Sequence, residues 1–142
     1  MKLSCRPLID CQGVNDFIPS EQLEMAAGDS PTFYFQLIDL EKNLAAHGWS
    51  PPGMRYVPVS TATAPTLAIT FVNIDDAKQF SRFASQPFAQ DASIWSVGLL
   101  ATDPLAGTVS VKCVLTENLG TAQVPAYSKK SFTLNAAILV SV

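Results

Sequence analysis

Val109-Ser110-Val111-Lys112-Cys113-Val114-Leu115-Thr116 is the stretch that decides the fold. Successive side chains of an extended chain point to opposite sides. Val109, Val111, Cys113 and Leu115 therefore share one face, and Ser110, Lys112, Val114 and Thr116 share the other. The same period of two recurs outward from this stretch. It groups Phe33, Phe35 and Leu37, then Leu67, Ile69 and Phe71 within 65–74, then Trp95, Val97, Leu99 and Ala101. In the closing run it groups Phe132, Leu134, Ala136, Ile138, Val140 and Val142. Alternation of this kind marks strands packed on one side. Met54 to Val59 reads as a shorter strand, and Pro58 places it at a sheet edge.

Turn residues separate the runs. Gly28-Asp29-Ser30-Pro31 precedes the Phe33 strand, Asp103-Pro104-Leu105-Ala106-Gly107 reads as a hairpin-like link, and Glu117-Asn118-Leu119-Gly120 follows in the same style. Two short helices fit the pattern, one capped by Asp39 through Leu44 and Ala45, the other capped by Asp75 through Ala77 and Phe80. Residues 45–53 and 85–87 read as loops. Seven or eight short strands with turn signals between them predict an all-β, antiparallel β-sandwich with at most one or two short helices. Residues 1–19 fit the core pattern less well. Pro7, Gly13 and Pro19 punctuate them, so they read as an N-terminal arm or an edge strand ahead of a sandwich domain over 20–142.

Length and composition fit this reading. The chain has 142 residues, the size of one domain. Hydrophobic residues make up 48% and charged residues 15%, below the usual ~25% charged and therefore unlike a disordered tail. The net charge is −3, and no basic cluster exceeds Lys129-Lys130, which argues against nucleic acid as a partner. The opening MKLSCRPLIDCQ has no apolar run of signal-peptide length, and no stretch approaches the ~20 apolar residues of a membrane helix. A chain made in the cytoplasm, with no membrane partner, is expected.

Few residues offer chemistry. His47 is the only histidine and has no nucleophile motif beside it. Asp75-Asp76 would point to opposite faces of a strand, and Asp29, Asp39, Asp91 and Asp103 fall where Asp usually bonds its own backbone. Cys5 and Cys11 stand about 20 Å apart if the segment between them is extended, beyond disulfide reach. Cys5, Cys11 and Cys113 lack the spacing of a zinc site and read as reduced packing residues. No catalytic residue, cofactor or metal is expected. The aromatics are more informative. Trp95 reads as core, whereas Trp49, Tyr56, Phe83, Phe88 and Tyr127 lie in or beside irregular segments and are the candidate partner contacts. Trp49 and Tyr56 also suit an alternative role, a stacking platform in a host-surface glycan-binding or adhesion module.

The segment Leu23-Glu24-Met25-Ala26-Ala27-Gly28-Asp29-Ser30-Pro31-Thr32-Phe33-Tyr34-Phe35-Gln36-Leu37-Ile38-Asp39 resembles the opening hairpin of small immunoglobulin-like domains in tailed-bacteriophage virion proteins, such as the N-terminal domain of phage baseplate upper proteins. The phrase Gln86-Pro87-Phe88-Ala89-Gln90-Asp91-Ala92-Ser93-Ile94-Trp95 is similar to one in small phage structural proteins. The resemblance extends over residues 20–142 and brings no active site with it. It implies a non-enzymatic virion component, either head decoration (cement) or a tail or fibre attachment piece. Such a protein would be made in the host cytoplasm and would act as a homo-oligomer against other capsid, tail or fibre proteins.

Overall fold

The computed structural model describes residues 2–9, 18–19, 23–40, 54–60, 63–134 and 138–141. These contain strands β1 (Leu3–Ile9), β2 (Ile18–Pro19), β3 (Leu23–Ala26), β4 (Thr32–Asp39), β5 (Met54–Arg55), β6 (Thr66–Asn73), β7 (Gln79–Phe83), β8 (Ile94–Gly98), β9 (Gly107–Asn118), β10 (Tyr127–Thr133) and β11 (Ile138–Ser141). There is no helix among the described residues. One sheet runs β2-β1-β4-β5, with β8 also paired to β4. The other runs β3-β11-β9-β6-β7, with β10 also paired to β9. Strand pairing is antiparallel except between β3 and β11. The chain is thus an all-β sandwich.

Alternation places the core. Phe33, Phe35, Leu37, Trp95 and Val97 from the first sheet meet Leu67, Ile69, Phe71, Val109, Val111, Cys113 and Leu115 from the second in one hydrophobic cluster. Each such side chain contributes roughly 1.5–3 kcal/mol when fully buried. The outer face of the first sheet departs from simple alternation, because Gln36 and Ile38 are buried along with their inward neighbours. Phe88 stacks on Tyr34 there, with ring centroids 6.3 Å apart. A polar chain crosses the same face. Arg6 donates to Gln36 (2.9 Å), Gln36 donates to Ser93, Ser93 donates to Asp91, and Arg55 pairs with Asp91 at 2.9 Å. Buried Gln36 therefore keeps both ends of its amide satisfied, as a polar group out of water must.

The N-terminal segment belongs to this frame over the residues described. β1 pairs with β4 from Leu3↔Asp39 to Leu8↔Tyr34, and Cys5 and Leu8 are buried. Of the two expectations for this segment, arm and edge strand, Leu3–Ile9 forms a strand, paired along β4 on one side and, among the described strands, with only the two-residue β2 on the other. Pro7 lacks an N–H but sits within the strand, opposite Phe35.

Single bridges close both flanks of the sandwich. Ser85 and Ser96 exchange backbone bonds of 2.8 and 2.9 Å, joining the end of β7 to β8, and Cys5 bridges to Leu134 just beyond β10. Exposed strand edges invite unwanted pairing, and these bridges occupy two of them.

Several connections differ from their sequence reading. β3 and β4 do not form a hairpin: β3 lies on β11 and β4 on β1, so the Gly28 turn carries the chain from one sheet to the other. The Asp103–Gly107 link likewise crosses from β8 in the first sheet to β9 in the second. Alternation shows which face of a strand is buried but not which strand lies beside it. The crossing is fixed by side chains. Arg82 forks onto Asp103 at 2.6 and 2.9 Å, and Asn73 donates to the Pro104 carbonyl while accepting from Ala106 at 3.0 Å.

The helix expected after Asp75 is instead the turn of the β6–β7 hairpin. Asp76 accepts from the Lys78 N–H (3.0 Å), Ala77 takes a φ of 60°, and Phe80 stacks on Phe71 at 5.0 Å. Asp bonds its neighbouring backbone in turns as readily as it caps helices. The terminal run is two strands, β10 and β11, lying end to end along one flank of β9. β5 ends at Arg55, one more backbone bond runs from the Tyr56 N–H to the Leu37 carbonyl (2.9 Å), and beyond it Pro58 has no N–H and the Val59 N–H is used elsewhere. The expected Asp39-capped helix beyond Leu40, together with Cys11, His47 and Trp49, lies outside the described residues.

Two outcomes follow from this packing. Trp95, 2% exposed and paired with Phe35, should cost about 3–5 kcal/mol in urea denaturation when replaced by Ala, and a loss below about 1 kcal/mol would contradict its place in the core. Deleting residues 1–9 strips β4 of a paired neighbour and should abolish the cooperative thermal transition. A sharp melt in the truncated chain would contradict the role of β1.

Candidate functional site

The candidate contact residues among those described, Tyr56, Phe83, Phe88 and Tyr127, do not converge. Phe88 is half-buried over Tyr34. Phe83 and Tyr127 are 69% and 63% exposed on the outer face of the second sheet. They sit on β7 and β10, with β6 and β9 between them, so they stand roughly 14 Å apart across the strands. Around them that face carries mostly small polar residues, including Thr70, Ser81, Ser110 and Ser131.

Tyr56 has a different task. Its hydroxyl lies 2.7 and 2.9 Å from the two carboxylate oxygens of Glu117. The inward row Val109, Val111, Cys113, Leu115 continues one step to Glu117, so the strand's own period carries a carboxylate inside, with no exposed surface. Four contacts compensate its lost hydration. Besides the two Tyr56 distances, the Val59 N–H donates at 2.7 Å and the Lys130 ammonium at 2.8 Å. Lys130 also lies 5.7 Å from the centre of the Tyr56 ring. Burial pushes the Glu117 carboxyl up, but Lys130, the Val59 N–H and Tyr56 together outweigh it and hold the acid below its ordinary range. Burial, then the bond to Glu117, pushes the Tyr56 phenol upward. A tyrosine, lysine and glutamate within reach of one another resemble proton-transfer machinery. Here, however, both carboxylate oxygens already accept hydrogen bonds and the phenol is held neutral, so the group acts as a clamp. It ties the 56–59 segment, which leaves the first sheet, to β9 and β10 of the second.

The clamp lies beneath an apolar end. Val57 and Val59 flank Pro58 above it, and both are exposed. The β9–β10 hairpin closes beside them through Leu119 N–H to Ala126 O (2.8 Å) and Thr121 N–H to Val124 O (3.0 Å). Asn118 shapes the loop by accepting from Gly120 and Ala126, each at 3.0 Å. Gly120 is required there, because a Cβ would run into the Val124 carbonyl oxygen. The turn therefore holds Leu119 and Val124 outward, with Val124 72% exposed, and Tyr127 begins the next strand. Thus Val57, Val59, Leu119, Val124 and Tyr127 share one end of the sandwich. Of these only Tyr127 stands out in the sequence, where aliphatic residues in turns give no periodic signal. Glu117 was within reach by extending the 109–115 alternation one step.

Among the described residues no three His, Cys, Asp or Glu side chains converge as metal ligands. No family model, curated protein or solved structure matches this chain.

The clamp sets a pH dependence. Glu117 is depressed in the folded state, so its stabilisation is complete above the unfolded carboxylate value of about 4.3 and is lost as pH falls from there through the lower folded value. Tyr56 is raised, so its contribution is complete below about pH 10 and is lost as pH rises through the higher folded value. Glu117→Gln should cost about 1–3 kcal/mol at pH 7 and flatten the acid limb of a stability-versus-pH curve. An unchanged acid limb would show that Glu117 is not held ionised by these partners.

Proposed function

We propose that this chain is a non-enzymatic structural protein of a tailed-bacteriophage virion. It decorates the head or attaches a tail or fibre part, and acts as a homo-oligomer through protein–protein contacts. The observation that carries the assembly role is the apolar end: Val57, Val59, Leu119 and Val124 are exposed on segments that a buried clamp and a constrained glycine hold in place, with Tyr127 exposed at the start of β10 beside them. A contact of about 800 Å² per partner needs such residues at its centre. The low charged fraction supports the same reading, because contact centres are depleted in charge. The virion assignment rests on the resemblance of residues 20–142 to phage immunoglobulin-like domains. In the glycan-binding alternative Tyr56 would be a stacking platform, but its hydroxyl is committed to Glu117.

A Val57→Asp, Val124→Asp double variant separates assembly from folding. Both side chains are exposed, so its melting should stay within about 0.5 kcal/mol of the parent. Light scattering should find the parent oligomeric and the variant monomeric. Mass spectrometry of purified particles should find the parent and not the variant. A parent chain that is monomeric and absent from particles would overturn the proposal.

A further inference from the structure

Cys5 and Cys113 come from different sheets. Cys5 faces inward on β1, opposite Leu37 of β4, while Cys113 faces inward on β9, between Ile69 of β6 and Phe132 of β10. The flank between the sheets closes at this point. Cys5 bridges to Leu134, and the Leu134 N–H donates to the carbonyl of Val111, two residues before Cys113 on the same inward row. Both side chains are buried in the same core cluster, both are free thiols, and the Cys113 thiol adds to the burial that pushes the Cys5 thiol upward. Packing alone asks only for two small apolar groups here. Instead, two oxidisable sulfurs face the same core at this flank, one from each layer.

We propose that Cys5 and Cys113 form a disulfide across the sandwich when the chain meets a small-molecule disulfide oxidant, fastening the N-terminal strand to the second sheet. The balance is two thiols plus one oxidised glutathione giving one protein disulfide and two reduced glutathiones. Two electrons and two protons pass to glutathione. In the first step one cysteine, as thiolate, attacks a glutathione sulfur; the glutathione S–S bond breaks and a glutathione thiolate leaves. In the second step the other cysteine thiolate attacks the mixed disulfide on its protein sulfur and expels the second glutathione.

Burial governs when this occurs. It pushes the Cys5 thiol upward, and no oxidant reaches a sulfur without exposed surface, so the docked pair is slow to react. The exchange runs while β1 is lifted, during folding or local opening, and the finished bond is then shielded. The bond links positions 108 residues apart, the kind of closure that restricts the unfolded chain most strongly. The sequence hides this partnership, because Cys11 is nearer to Cys5 along the chain. The inference is independent of the assembly role.

The test uses the full chain with Cys11→Ser, unfolded in urea and refolded with either oxidised glutathione or dithiothreitol. The oxidised sample should lose both free thiols in a denaturing thiol titration. It should also yield a Cys5–Cys113 cross-linked peptide on non-reducing mass mapping. Its Tm should exceed that of the reduced sample by roughly 5–15 °C. Cys5→Ala and Cys113→Ala variants in the same background should show no oxidant-dependent shift. The parent sequence, mapped the same way, covers the case in which an alanine variant fails to fold. Two free thiols after oxidative refolding, a parent cross-link that joins Cys11 instead, or an oxidised chain that melts no higher than the reduced one would overturn the proposal.

Discussion

Glu117 extends the inward row of β9 by one residue, so the strand that builds the second sheet's core also carries an ionised group out of water. An uncompensated buried carboxylate would cost several kcal/mol. The neighbouring chain is organised to prevent this. Tyr56 and Val59 arrive from a segment that leaves the first sheet, and Lys130 arrives from β10. The requirement to satisfy one carboxylate therefore fixes the path of residues 56–59, and with it the surface of that end of the sandwich. Arg82 with Asp103, and Asn73 with the 104–106 backbone, hold the β8–β9 crossing at the opposite end. The faces between these ends are joined by apolar packing.

This division of labour bears on function. Tyr56, Lys130 and Glu117 are engaged with one another inside the protein, and the clamped end presents Val57, Val59, Leu119, Val124 and Tyr127 to solvent beside polar Ser60, Thr121 and Gln123. A rigid turn that exposes Val124 resists the collapse by which loose loops hide apolar residues. In the assembly role proposed above, the energetic gain from burying such residues would come on contact with a partner.

The sequence makes the layers legible because a period of two is a direct statement about faces. Phe33, Phe35, Leu67, Ile69, Phe71, Trp95 and Val97 are buried as their alternation requires. Strand partners are not legible, because partner choice depends on contacts distant in sequence. The Gly28 and Asp103 turns look like hairpin turns yet pass between sheets. Asp75 and Asp76 look like a helix cap because turn and cap use the same side-chain chemistry. Pro7 looks like a chain breaker although it sits in a paired strand. The candidate contact residues were legible only in part. An exposed Tyr127 belongs to a type that stands out, whereas Val57, Leu119 and Val124 gain meaning only when the 56–59 segment and the β9–β10 hairpin come to one end. Tyr56 shows the reverse case, an aromatic beside an irregular segment whose hydroxyl is engaged inside the protein.

A double-mutant cycle over Tyr56→Phe and Glu117→Gln, measured by urea denaturation at pH 7, addresses the clamp most directly. If the phenol and the carboxylate form one unit that joins the two sheets, the cycle should return a coupling energy of about 1 kcal/mol or more. Losses that add to within about 0.3–0.5 kcal/mol would mean that the two groups stabilise the fold separately, and the clamp would not be what organises this end of the protein.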